Sequence, residues 1–397
     1  MSAPAPASAS SRLLRRTSSQ PAHEIGQEAP AAAANAVRVM IVDDSLTVRT
    51  IFKRMVESDG SMLVAGTASS AERAIAQVGE LDVDVMLLDL EMPGMGGLQA
   101  LPAILKAAPK VQILVVSSLT EDGAEATVKA LSTGAADTML KPRPGGFNED
   151  YRSQLLGKIR ALGGANGQTG EVEQSADPRA AEKSSEFAQA KQSRSLQPEV
   201  LAIGASTGGI HALNVMLRNL TADFDLPILI TQHLPSSFIP VFARQIEVAS
   251  GRRTHIAEDG TEIRAGEVAI ATGHGHMVVR RIGDRLVTRT SAKPARSGCM
   301  PSVDPMLTSL SESCEGRVLA VILSGMGRDG HEGAQALVKA GGAIWAQDAE
   351  TSAVWGMPGA VAKAGLTSLV AAPDVLGNAL MDQFASANGN PVKKASN

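Results

Sequence analysis

Two sets of residues in this sequence have the types and spacing to do chemistry. The first centres on Val200-Leu201-Ala202-Ile203-Gly204-Ala205-Ser206-Thr207-Gly208-Gly209, where an apolar run stops at glycine and a serine sits between glycines. Helical spacing resumes at Ile210, so the pattern predicts strand, tight turn, helix. Such a turn would lift the Ser206 hydroxyl to the C-terminal edge of a sheet, beside the free N–H groups and positive end of a helix. Gly204 to Gly208 fits the G-x-S-x-G nucleophile pattern, although the same glycines would suit a phosphate-binding turn or a plain strand–helix corner. A base and an acid decide the matter. His233 follows the apolar run ending Ile230-Thr231-Gln232, and Asp329 follows Leu323-Ser324-Gly325-Met326-Gly327-Arg328. Ser206, His233 and Asp329 therefore all lie just past predicted parallel strands, at the edge where α/β sites form. There a histidine could take the serine proton while the carboxylate fixes its tautomer.

The chain holds seven histidines, so rivals to His233 need weighing. His274 and His276 flank Gly275 and could present a metal pair, but no cysteine or carboxylate cluster joins them in sequence; they read as a polar hairpin turn. His331 is expected to enter a helix, His211 to sit on the helix after Ser206, and His255 to lie in a short strand. The order Ser…His…Asp differs from the Ser…Asp…His order of the α/β-hydrolases, which argues against a lipase or esterase of that fold.

The second set is acidic. Asp43 and Asp44 end one apolar strand, Val37–Val42, and Asp89 ends another, Val85–Leu88. In a sheet of order 2-1-3-4-5 those strands are neighbours at the point where ligands bind. Three converging carboxylates need a cation, and oxygen-only donors suit Mg²⁺, which also accepts phosphate oxygens. Other strand ends add the hydroxyls Ser117-Ser118 and the cation Lys141 before Pro142.

The elements that must position these residues follow from the pattern of apolar runs. Between Val37 and Leu162, five short strands alternate with helical spacing, which predicts a parallel sheet covered on both faces with right-handed crossovers. From Pro198, the runs Val200–Ile203, Pro227–Thr231, Val318–Leu323 and Ala343–Ala346 predict a second α/β, mainly parallel sheet. Between about 254 and 290, short alternating runs at Thr254–Ile256, Val268–Ile270, Met277–Val279 and Leu286–Thr288 read as an antiparallel hairpin region. The expected organisation is a tail over 1–36, a domain over 37–162, a linker over 163–197, a second domain over 198–385 and a tail over 386–397. A length of 397 residues suits two domains. The net charge of −4 and 3% aromatic content give no general case for nucleic-acid binding. Two cysteines are too few for a disulfide framework, and no apolar run approaches the roughly 18–20 residues of a membrane span, so a cytoplasmic protein is expected.

The stretch from Val37 to Leu162 resembles a response-regulator receiver domain of the flavodoxin-like, doubly wound kind. The matching residues are Asp43-Asp44, Asp89 within Leu88-Asp89-Leu90-Glu91-Met92-Pro93-Gly94-Met95-Gly96-Gly97, Ser117, and Lys141-Pro142. The resemblance implies that Asp89 accepts phosphate from a histidine kinase, with Mg²⁺ held by Asp44, Asp89 and, through water, Asp43. Ser117, directly after the apolar strand, would be the switch hydroxyl. One departure is Thr138, at a position often aromatic in receivers, which disfavours an aromatic-rotamer relay.

The stretch from Pro198 to Asp382 resembles the catalytic domain of chemotaxis protein-glutamate methylesterases, the CheB family. The match rests on Gly204–Gly209, Gln232-His233, Pro301-Ser302-Val303-Asp304-Pro305-Met306, Ser324–Gly330 and Trp355-Gly356-Met357-Pro358. It implies Ser206 as nucleophile, His233 as base and Asp329 as orienting acid, with Thr207 and the N–H of Met326 near the acyl site and its oxyanion. It implies hydrolysis of glutamyl methyl esters on the cytoplasmic helices of chemoreceptors, with no cofactor for the esterase step; some relatives also deamidate glutamines. An unphosphorylated receiver covering the serine edge is the regulatory expectation. The contrasting possibility is a second domain that only binds a nucleotide or a partner, against which Gly204–Gly209 lacks G-x-G-x-x-G spacing and a Walker lysine.

Overall fold

Strand, turn and helix alternate along the chain as the apolar runs require. The computed structural model describes residues 36–118, 120–142, 146–164 and 197–387. The expected tails and linker lie almost entirely outside these residues. Among the described residues, the first sheet is parallel and runs β2-β1-β3-β4-β5: β1 (Val37–Val42), β2 (Met62–Ala68), β3 (Val85–Asp89), β4 (Gln112–Ser117) and β5 (Asp137–Leu140). Its helices are α1 (Leu46–Glu57), α2 (Ala71–Val78), α3 (Gly96–Ala107), α4 (Glu121–Thr133) and α5 (Glu149–Gly164). Hydroxyl caps start three of them: Ser45 accepts from Val48 N–H, Ser70 from Arg73 N–H and Thr120 from Gly123 N–H. Alternation along the strands splits the core. Met40, Met86 and Leu88 pack on one face, and Val39, Ile41 and Leu87 on the other with Phe52 and Leu155. Each such side chain contributes about 1.5–3 kcal/mol by leaving water.

The second sheet holds seven strands among the described residues, in the order β14-β13-β12-β6-β7-β9-β8. These are β6 (Val200–Ala205), β7 (Ile228–Gln232), β8 (Thr254–Ala257), β9 (Val268–Ala271), β12 (Val318–Ile322), β13 (Ala343–Gln347) and β14 (Thr367–Ala371). All are parallel. The chain moves from β6 out through β7 in one direction and from β12 out through β13 in the other, so β6 and β12 flank a topological switch point. Helices α6 (Gly209–Leu217), α7 (Ile239–Ser250), α8 (Val303–Ser313), α9 (His331–Lys339), α10 (Met357–Lys363) and α11 (Pro373–Ala387) cover it.

The expected hairpin region is half right. β10 (His276–Ile282) and β11 (Arg285–Ser291) form an antiparallel hairpin. β8 and β9 do not: Thr254 pairs with Val268 in parallel, at the edge of the main sheet. The segment between them cannot fold back as a tight turn because its backbone is used elsewhere. Gly260 N–H donates to Thr288 O at 2.9 Å and Ile263 N–H to Leu286 O at 2.9 Å, both on β11.

Residues from 36 onward cluster as one unit. Ala124, Val128 and Leu131 of α4 belong to the same hydrophobic cluster as Ile210 and Leu213 of α6 and Phe238 before α7. Val354 of the second domain in turn joins the cluster beneath α1 and α5.

Candidate active site

Ser206 stands one residue past β6, and its neighbours explain why the turn is so tight. Gly208 has φ +78°, and a Cβ there would lie 2.6 Å from both Ala353 Cβ and Ser324 Oγ. Gly325, on the loop after β12, packs so close that a Cβ would come within 2.8 Å of Ser206 Cβ. Ser206 N–H donates to Ser324 O at 3.0 Å, and Gln232 Nε2–H donates to Ser206 O at 3.0 Å. The backbone of the serine is thus fixed from both neighbouring strands.

His233 follows β7 and reaches both expected partners. Its Nε2 lies 2.7 Å from Asp329 Oδ2 and its Nδ1 lies 3.1 Å from Ser206 Oγ. Asp329 is ionised, so Nε2 carries the proton and donates; Nδ1 of the neutral ring then accepts from the serine hydroxyl. This nitrogen assignment is the reverse of the serine-protease arrangement but performs the same relay of roles. Asp329 is buried and its remaining lone pairs are filled. Ser302 Oγ–H donates to Oδ1 at 2.6 Å and Val303 N–H donates to Oδ2 at 2.7 Å. Burial alone would raise the Asp329 carboxyl, but His233, Ser302 and Val303 hold it well below the usual carboxylate range. Burial pulls His233 down, yet hydrogen bonding to Asp329, with Cys299 close by, outweighs it and raises the imidazole to about 9.

Ser302 and Val303 belong to the Pro301–Met306 segment, whose sequence does not reveal that they seat the acid. Their order, a serine helix cap followed by an apolar residue, is the only signal. Cys299 has no metal-ligand spacing in sequence, and the fold alone brings it beside His233 and Asp329. His276 corrects an expectation: it is buried at the start of β10 rather than in a polar turn, and Ser302 N–H donates to its Nδ1 at 2.9 Å. Its neighbour His274 is the exposed one. His331 begins α9, His255 lies in β8, and His211 is exposed on α6.

Of the two expected acyl-site neighbours, Met326 lies on the Gly325 loop, 43% exposed. Thr207 is buried, and its hydroxyl is spent on the first domain, donating to Asp137 Oδ2 at 2.5 Å. Lys158 Nζ holds the same carboxylate oxygen at 2.6 Å. Next to it, Gly208 N–H donates to Ala136 O at 2.5 Å. Further out, His211 Nδ1 lies 3.1 Å from Ser132 O and Arg244 pairs with Glu125 at 2.9 Å. The end of α4 and the start of β5 therefore grip the residues immediately after Ser206. Among the described residues, the N–H groups of Thr207 and Met326 have no protein acceptor.

The acidic residues of the first domain lie close together. Asp43, Asp44 and Asp89 each offer an oxygen within 4.8 Å of the others, with Asp43 and Asp89 buried and Asp44 exposed. Lys141 Nζ lies 2.6 Å from Asp89 Oδ2 and 2.9 Å from Asp43 Oδ2. Glu91 N–H donates to Asp89 Oδ1 at 3.0 Å. Ser117 is buried at the end of β4, and Thr127 Oγ1–H of α4 lies 2.7 Å from its Oγ. Ser118 Oγ–H instead donates to Glu91 Oε1. Thr138 is buried in β5.

Residues 201–380 match the family described as CheB methylesterase, and residues 39–146 match the response regulator receiver domain. A protein named protein-glutamate methylesterase/protein-glutamine glutaminase 1 from Paramagnetospirillum magneticum is 40% identical, with 86% of this chain and 95% of that protein aligned. One named protein-glutamate methylesterase/protein-glutamine glutaminase 2 from Caulobacter vibrioides is 41% identical, with 86% and 97% aligned. Among solved structures, the Thermotoga maritima CheB methylesterase catalytic domain is 32% identical, covering 47% of this chain and 98% of its own, at a TM-score of 0.46.

Proposed function

The chain belongs to the family of receiver-bearing CheB methylesterases, and we propose that it hydrolyses glutamyl methyl esters on chemoreceptors, under control of phosphorylation at Asp89. The observation that carries the catalytic reading is the contact chain Ser206 Oγ, His233 Nδ1, His233 Nε2, Asp329 Oδ2, at 3.1 and 2.7 Å. Ser206 Oγ attacks the ester carbonyl carbon as its proton passes to His233 Nδ1. Asp329 stabilises the imidazolium through Nε2–H. The N–H groups of Thr207 and Met326, which have no protein acceptor among the described residues, supply the oxyanion donors, with the N-terminus of α6 adding its dipole. The C–O bond to the methoxy group breaks, and Nδ1–H protonates it to methanol. Water then attacks the acyl carbon, giving a proton to Nδ1; the bond from that carbon to Ser206 Oγ breaks, Nδ1–H returns the proton to Oγ, and free glutamate is released. With glutamine as substrate the leaving group is ammonia, by the same steps. A non-catalytic binding module is not favoured.

The receiver half supplies control. The donor set of its acidic pocket fits Mg²⁺: three carboxylates, all oxygen, with only one lysine to offset them. Asp44 and Asp89, and Asp43 through water, would hold the ion, which when bound neutralises charge on the phosphoryl group. A histidine kinase is the phosphodonor, and Lys141 pairs with the charge on Asp89. Ser117 turns from Thr127 toward the phosphoryl oxygens, which frees one anchor of α4. Because Ala136 and Asp137, between α4 and β5, hold Gly208 and Thr207, and α4 itself meets His211, loosening this edge uncovers Ser206. Among the described residues no helix is long and apolar enough to cross a membrane; the protein acts in the cytoplasm, on the cytoplasmic helices of its receptors.

The test is methanol release from methylated receptor membranes, with and without a small phosphodonor and Mg²⁺. Ser206→Ala is expected to reduce release by more than about 10⁴-fold while leaving the fold intact by circular dichroism. Full release from that variant would overturn the mechanism.

A further inference from the structure

We propose that Cys299 joins His233 and Asp329 as a binding site for a thiophilic divalent cation such as Zn²⁺, through which the esterase is inhibited. The three side chains each offer one donor atom, and those atoms all lie within 4.8 Å of one another. A thiolate, an imidazole and a carboxylate make a zinc donor set, unlike the all-oxygen pocket around Asp89. Cys299 and His233 are half-buried and Asp329 is buried, so an ion from solvent meets the thiol and the ring first. The loop that carries Cys299 is tied to the acid and cannot drift from it. Ser302 Oγ–H and Val303 N–H both donate to Asp329, and Ser297 Oγ lies 3.2 Å from Ser302 Oγ. A tetrahedral zinc site places such donors about 3.3–3.6 Å apart, so the thiol need close by at most about 1.5 Å, while the Nε2–Oδ2 pair opens from 2.7 Å by about 0.6 Å.

Binding removes the base. The ion takes the thiolate, the Nε2 lone pair and an Asp329 oxygen. The thiol proton is released to solvent, and the ring proton moves from Nε2 to Nδ1. Nδ1–H then donates to Ser206 Oγ and can no longer accept its proton. The fourth position is left to water. Metal binding stands on this geometry alone, whereas the loss of activity rests on the triad proposed above.

The experiment uses the full chain, activated by a small phosphodonor and Mg²⁺, and its Cys299→Ser variant. Titration with Co²⁺ is expected to give a thiolate-to-metal charge-transfer absorption in the near ultraviolet that Cys299→Ser lacks. The remaining cysteine, Cys314, is fully buried and serves as the internal control. Zn²⁺ is expected to suppress methanol release, reversibly with a chelator that spares Mg²⁺, and the substitution should raise the zinc concentration for half-inhibition by about 10- to 100-fold. Equal cobalt spectra, or equal zinc sensitivity of the two proteins, would overturn the proposal. A chain that releases no methanol even without zinc would instead fail the triad reading, and the cobalt spectrum would then decide the metal site by itself.

Discussion

The acidic pocket and the catalytic edge occupy the same place on two parallel sheets, yet they balance charge in opposite ways. At the pocket, Asp43, Asp44 and Asp89 face a single lysine, and negative charge is left over. Burial pushes the Asp89 carboxyl up; Lys141 pulls against that and Asp43 adds to it, and the result is about 6. At the catalytic edge, one carboxylate receives three donors, from His233, Ser302 and Val303, and is held low. The pocket is incomplete until a cation and a phosphoryl group arrive. The catalytic edge carries its base and acid within the chain, with Ala136 and Asp137 of the first domain bonded to the residues just after Ser206. A site finished by ligands can report on its surroundings, and a site finished internally can be gated only from outside.

This contrast can be broken at three points. The largest effect is expected from Asp329→Asn, which keeps the shape but favours the wrong tautomer; methanol release should fall by about 10³- to 10⁴-fold. The sign of the pH effect follows from the same bond. Activity needs neutral His233, whose pKa Asp329 raises to about 9, so wild-type release should climb as pH rises toward 9. Without the carboxylate the inflection should move down. A pH–rate profile with an unmoved inflection would detach His233 from the titrating base.

Next in size is Asp89→Asn. It should abolish stimulation by a phosphodonor, a factor of about 5 to 150 for a coupling of typical strength, while basal release stays at the wild-type level. Loss of basal activity in parallel would mean that the pocket supports the catalytic edge rather than gates it. The smallest effect is expected from Asp137→Ala, which deprives Thr207 Oγ1 of its acceptor. Lys158 shares that carboxylate oxygen, so release without a phosphodonor should rise by only about 5-fold, or about 1 kcal/mol, the net worth of an ordinary hydrogen bond. An unchanged basal rate would remove that contact from the cover.

Much of this was legible in the sequence because chemistry and secondary structure coincide at strand ends. Asp43, Asp89, Ser117, Ser206 and His233 each stand at or just past an apolar run, so finding the strands finds the residues. Alternation makes the first sheet parallel, and the resemblance to receiver domains implies its order. What stayed hidden depends on register in space. β8 and β9 alternate like hairpin strands, and only the pairing of Thr254 with Val268 shows them parallel. His276, between glycine and an alternating strand, has the composition of a turn; its burial comes from the Ser302 backbone, 26 residues later. The grip of Asp137 on Thr207 joins residues 70 apart in two domains, and neither residue type announces it.

The bond from Gly208 N–H to Ala136 O has an evolutionary consequence. It is made of peptide groups alone, so substitutions at Ala136 leave the acceptor in place. The donor is the weak point: any other residue at Gly208 would meet a φ of +78° and a Cβ 2.6 Å from Ala353 Cβ and Ser324 Oγ. Selection for a permanently active enzyme should therefore find little on the receiver side of this bond, and a change at Gly208 would disturb the serine turn together with the grip on it.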